Sequence, residues 1–128
     1  SQADIEAVKL IHEDSHDEIY TVLANQSVSA AAVKTYGFAR YHNDTFYYPI
    51  PTGGELYELF LQASYGDPSI GTMTLAGELG GSDLVYFVVN DYWWKSDELI
   101  EQAKQSADRF FEIDDGKVVI FKYELSEK

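Results

Sequence analysis

The sequence predicts an α+β fold: a single domain over residues 1–128, with a mixed or mainly antiparallel sheet of about five strands and three to four helices packed against it. Three observations carry this expectation. Apolar residues recur at helical spacing in separated stretches, and short runs rich in Val, Ile, Tyr and Phe lie between them. The connections between neighbouring runs are also too short for a succession of parallel crossovers. At 128 residues, 45% hydrophobic and 15% aromatic, the chain can bury about two-thirds of its unfolded surface in one core.

Taken in order, Ile5, Val8, His12, Ile19 and Leu23 share one side of a helical wheel, so residues 3–24 read as one amphipathic helix. A break near Ser15 is the alternative, with Glu18 to Ala24 then a strand because Ile19, Tyr20, Thr21 and Val22 are β-formers. Ser27 is expected to cap a short helix through Ala30–Val33 that Gly37 ends. Residues 38–42 and 45–50 flank Asn43-Asp44 as a two-residue hairpin, which Pro49 and Pro51 stop. Thr52 and Glu55 form a capping-box pattern ahead of the stripe Leu56, Leu59, Phe60, Ala63, a helix that Gly66 terminates.

Residues 70–76 and 84–90 are expected as strands joined by a loop containing Gly77, Gly80 and Gly81. The unbroken apolar run Leu84–Val89 marks the second as central in the sheet. Ser96 then caps a last helix with Leu99, Ala103, Ala107 and Phe110 on its inner face, and Asp114-Asp115-Gly116 turns into a final strand from Lys117 to Leu125.

Charge is the strongest functional signal. Nine basic against 22 acidic residues give a net charge of −13. Between Arg40 and Lys95 there is no Lys or Arg, yet that interval holds seven carboxylates, seven of the ten tyrosines and both tryptophans. Surfaces ordinarily intersperse both signs, so this interval points to a face that meets something positive. The same charge repels phosphate backbones and anionic lipid headgroups, which argues against direct nucleic-acid or membrane binding. The absence of cysteine excludes disulfides and thiolate metal sites. No apolar run approaches the ~20 residues of a membrane span, and Ser1, read as following a removed initiator methionine, leads to an expected cytoplasmic location.

His12-Glu13-Asp14-Ser15-His16 satisfies H-E-x-x-H. On a helix the two imidazoles would stand one turn apart and share a zinc ion, with Glu13 as general base and His42 the remaining histidine for a third ligand. Asp14 and Asp17 are unfavourable neighbours for such a centre, so the chain is expected to carry neither a catalytic residue nor a cofactor, with zinc and hydrolysis as the alternative. There is no dinucleotide fingerprint, P-loop or nucleophile elbow.

The leading expectation is therefore a non-enzymatic acidic binding domain that masks a basic protein, such as a nuclease or other toxin. In size, charge and aromatic richness the chain resembles bacterial immunity proteins and antitoxins. Carboxylates Asp44, Glu55, Glu58, Asp83 and Asp91 would steer the encounter, and Tyr47, Tyr57, Tyr92, Trp93 and Trp94 would supply anchors. Of the adjacent tryptophans, one is expected to pack inward and the other to face solvent. A DNA mimic and an aromatic-lined pocket for an apolar or cationic small molecule are the further alternatives.

Overall fold

The structure, a computed structural model, describes residues 2–36, 41–42, 45–46 and 54–127. The expected cap at Gly37, the stops at Pro49 and Pro51, the capping Thr52 and the candidate residues Asp44 and Tyr47 lie outside them. In chain order the elements are α1 (Gln2–Asp14), β1 (Thr21–Leu23), α2 (Gln26–Tyr36), β2 (Tyr41–His42), β3 (Thr45–Phe46), α3 (Glu55–Ser64), α4 (Ile70–Gly80), β4 (Leu84–Asn90), α5 (Ser96–Ser106), β5 (Arg109–Ile113) and β6 (Val118–Glu124), with a 3-10 turn at Leu125–Glu127.

The main sheet runs β1-β4-β6-β5, with β1 parallel to β4 and both other pairings antiparallel. The Leu84–Asn90 run is an interior strand, buried throughout. Its alternation divides the core in two. Leu84, Tyr86 and Val88 face a cluster with Val8 and Ile11 of α1 and Val28 and Ala32 of α2, whereas Val85, Phe87 and Val89 face Ala63, Met73, Ala76, Leu99 and Ala103 of α3, α4 and α5. Helices therefore cover both faces. The α+β class and a mixed sheet hold, with four strands in the main sheet and five helices among the described residues; β2 and β3 form a separate hairpin paired Tyr41 to Phe46 and His42 to Thr45.

Four differences from expectation have local causes. Residues 3–24 are not one helix but follow the alternative with a break near Ser15 and a strand after it: the Ser15 hydroxyl donates back to the His12 carbonyl (2.8 Å), His16 and Asp17 take left-handed φ of 50° and 66°, and the chain enters β1. Residues 70–76 are helical. Ser69 caps α4 by accepting the Thr72 N–H (3.2 Å), and Ala76, Gly77 and Gly80 give the helix a slim buried side.

At Gly80 a β-carbon would come within 2.0 Å of Thr21 Oγ1, so this glycine seats α4 against β1 and belongs to no loop. α5 ends at Ser106 and the chain extends into β5, placing Phe110 on a strand beside Lys104 rather than on a helix face. The capping residue of α2 is Asn25, not Ser27: its Oδ1 accepts the Val28 N–H at 3.1 Å. The Asp114–Gly116 turn is present, with φ of 52°, 56° and 89° linking β5 to β6.

Candidate functional site

β1 and β4 are parallel, with Leu23 level with Phe87, so both run out toward the same end of the sheet, β4 continuing three residues further to Asn90. From there the chain leaves through Ala24-Asn25 into α2 and through Asp91–Lys95 into α5. Between these exits lies a cavity of about 320 Å³, walled by Tyr57, Phe60 and Tyr65 from α3 and its end, by Tyr92 and Trp93 from the β4–α5 loop, and floored by Asn25 and Asn90. Crevices at the carboxyl ends of parallel strands are where open α/β sheets bind ligands, because chain exits there leave room between diverging connections.

Helical spacing builds the α3 wall: Tyr57, Leu61 and Ser64 follow one stripe. In the loop, the Trp93 N–H donates to the Asn90 carbonyl (3.1 Å) and the Trp93 carbonyl accepts from Ser96 (2.9 Å), a tight turn that leaves the two indoles tilted by 53° with ring centroids 6.1 Å apart. Trp93 packs inward, with Nε1 donating to the Ser64 carbonyl (3.0 Å) and Tyr65 edge-on at 5.2 Å. Trp94 is 70% exposed, with Lys95 Nζ 4.8 Å from its ring centroid. One tryptophan in and one out is the arrangement expected of the pair.

The floor is a chain of amides ending on a carboxylate. Asn90 Nδ2 donates to Oδ1 of Asp4 (3.1 Å), which is 3% exposed, and Asn90 Oδ1 accepts from Asn25 Nδ2 (2.9 Å). Asn25 Nδ2 also donates to the Tyr92 hydroxyl. Sequence reasoning overlooked Asp4, Asn25 and Asn90. Asn90 did carry a signal, a polar residue ending an unbroken apolar strand, and such a residue must find a partner when buried.

On the other side of α3, Glu55, Glu58, Leu59 and Gln62 face Leu75, Glu78 and Leu79 of α4 across an open groove of about 610 Å³. Leu75 and Leu79 are exposed there beside three carboxylates.

The candidate residues are thus partly united. Tyr57, Tyr92 and Trp93 converge on the cavity, Asp91 and Trp94 sit on the same loop facing solvent, and Glu55 and Glu58 line the groove one helix face away. Asp83 is not with them: it precedes β4 and lies roughly 25 Å from Asp91 at about 3.3 Å per residue. There it adjoins a second polar cavity with Asp14, His16, Glu18, Lys122 and Glu124. Lys122 Nζ meets Asp14 (2.8 Å) and Glu124 (3.7 Å), and the Tyr86 hydroxyl donates to Asp14 (2.6 Å). Burial works to raise the Asp14 pKa, but the hydrogen bonds from Lys122 and Tyr86 and the Lys122 charge outweigh it and hold the carboxyl below its ordinary value. Burial and the same carboxylate push the Tyr86 hydroxyl well above the usual tyrosine range.

The histidine pattern is not on one helix. His12 occupies the last turn of α1, Glu13 is exposed, and His16 lies beyond the helix end in left-handed backbone, so the one-turn spacing the zinc reading needs is absent. His42 falls in β2. No group of three His, Cys, Asp or Glu suited to hold an ion occurs among the described residues, and none of their helices is long and apolar enough to cross a membrane. No family model matches the chain, and no curated protein and no solved structure matches it significantly.

Proposed function

We propose that this chain is a non-enzymatic binding domain that holds a basic protein against the face built on α3 and the β4–α5 loop, in the manner of an immunity protein or inhibitor acting in the cytoplasm. One observation carries the reading: exposed rings, Tyr92 at 66% and Trp94 at 70%, follow Asp91 at the end of a stretch, residues 41–94, that contains no Lys or Arg, with the carboxylates Glu55, Glu58 and Glu78 one helix face away. Large apolar rings left in solvent cost free energy unless something covers them, and a surface of one sign selects a partner of the other. Glu55, Glu58, Glu78 and Asp91 steer the encounter, and Trp94 and Tyr92 supply buried contact area at low entropic cost. Asp83, at the far end of β4, takes no part.

The test is capture from lysate of the source cells at low salt, followed by measured affinities for each identified protein. A basic protein should bind with an association rate that falls steeply as salt rises. Trp94→Ala should cost about 2 kcal/mol, roughly 30-fold in affinity, because an exposed anchor loses its contacts without disturbing the core. Equal binding by Trp94→Ala and by a Glu55→Gln, Glu58→Gln, Glu78→Gln triple variant would remove the proposal.

A further inference from the structure

We infer that the aromatic cavity at the carboxyl ends of β1 and β4 is a receptor site for one guanidinium or alkylammonium group. Among the described residues, side-chain nitrogens in the lining belong to Asn25, Asn90 and Trp93, and no Lys, Arg or His of that set faces the space.

Both protons of Asn25 Nδ2 are spent, on Asn90 Oδ1 and the Tyr92 hydroxyl. The single Trp93 N–H is held by the Ser64 carbonyl, and Asn90 gives a proton to Asp4. At the adjoining end of α2, Asn25 itself takes the Val28 N–H.

Among the described residues an anion entering this space would meet no cation, only neutral hydroxyls of Ser27, Tyr57, Ser64, Tyr65 and Tyr92, which repay little of the hydration a full charge gives up. A ligand that brings its own donors meets oxygen acceptors on Tyr92, Asn25 and Asn90, the buried Asp4 carboxylate behind them, and aromatic faces that attract a cation. The neighbouring surface already accepts such a group, because the Lys95 ammonium rests on Trp94. At about 320 Å³ the cavity is near the lower limit for ligand sites, the size of one long side chain rather than of a larger cofactor. The inference rests on the binding-domain reading for the source of the group, an arginine or lysine projecting from the partner.

The 128-residue chain is titrated with N-acetyl-L-arginine methylamide, its neutral citrulline counterpart and the N-acetyl-aspartate equivalent. The readouts are tryptophan fluorescence and the NMR shifts of the Trp93 indole and the Asn25 and Asn90 amides. Saturable shifts are expected with the arginine probe, with a dissociation constant on the order of a millimolar, and at least tenfold weaker binding of the citrulline probe. Tyr92→Ala should weaken the arginine probe about tenfold. Because Tyr92 is mostly exposed the fold should survive, and Tyr57→Leu replaces it if circular dichroism shows otherwise. Equal binding of the citrulline or aspartate probe, no saturation by about 100 mM, or indifference to the cavity substitution would overturn the inference.

A basic peptide carrying one arginine separates the sources: tighter binding than free arginine supports a protein side chain, and weaker binding supports a free small molecule as occupant. If the probe fails while an identified basic protein still binds through Trp94, only the cavity assignment falls. If the probe binds and no basic protein does, the cavity assignment stands and the protein-masking role falls.

Discussion

The contact of α4 with β1 at Gly80 gives a decisive test of the architecture. A β-carbon at Gly80 would sit 2.0 Å from Thr21 Oγ1, 2.9 Å from Cγ2 and 3.0 Å from Cβ. Thr21 is fully buried in β1 and shares a hydrogen bond with Ser82 (2.7 Å), so its branched side chain has nowhere to turn. Gly80→Ala therefore forces α4 away from β1 or breaks that hydrogen bond. Overpacking of this kind costs about 1–3 kcal/mol and the lost bond about 1 kcal/mol, against a gain of roughly 1 kcal/mol from alanine's better helix propensity.

The net expectation is a loss of about 2 kcal/mol, read as a lower urea midpoint and a fall of roughly 6–10 °C in Tm for a domain of this size. Thr21→Ala removes the obstructing atoms, so in the double variant the Gly80→Ala penalty should shrink by at least 1 kcal/mol or so. If Gly80→Ala is neutral or stabilising, propensity alone governs the position and α4 is not seated on β1 as described.

Two further predictions concern pH. Asp14 has a folded-state pKa below its ordinary 3.8, so the stability it contributes is present above that value and is lost as pH falls through the folded pKa; Asp14→Asn should be destabilised at neutral pH, with the gap to wild type closing as urea melts are taken progressively below pH 3.8. Burial pushes Tyr123 up to about 12, with its Ser106 hydrogen bond opposing and Asp108 adding to the rise. Its contribution is whole below the ordinary value of 10.0 and declines as pH climbs toward 12; Tyr123→Phe should flatten this alkaline limb, and an unchanged limb would show that another group sets it.

Much of the candidate site was legible before folding. The Leu84–Val89 run announced an interior strand because only a strand buried on both faces tolerates continuous apolar residues. The helix carrying Leu56, Leu59, Phe60 and Ala63 and the one-in, one-out tryptophans followed from helical and loop geometry, whereas the Tyr57, Leu61, Ser64 face that walls the cavity was not anticipated. Which ends of the strands share space was not legible. Asp83 and Asp91 already flank the expected strand 84–90 and so lie a strand's length apart; what the tertiary pairing added is that β1 runs parallel to β4 and brings Asn25 to Asn90.

By itself the chain determined its charge asymmetry, its class, its central strand and the positions of most helices, all of which rest on composition and on contacts a few residues apart. Tertiary structure decided whether Ile70–Ala76 is strand or helix, where α1 stops, that Phe110 lies on a strand, and that Asp4, Asn25 and Asn90 meet beneath the aromatic rings. The reason is one of scale. Local propensities differ by tenths of a kcal/mol per residue, while burying a side chain against a distant partner is worth about 1.5–3 kcal/mol, so wherever the two compete the long-range contact prevails.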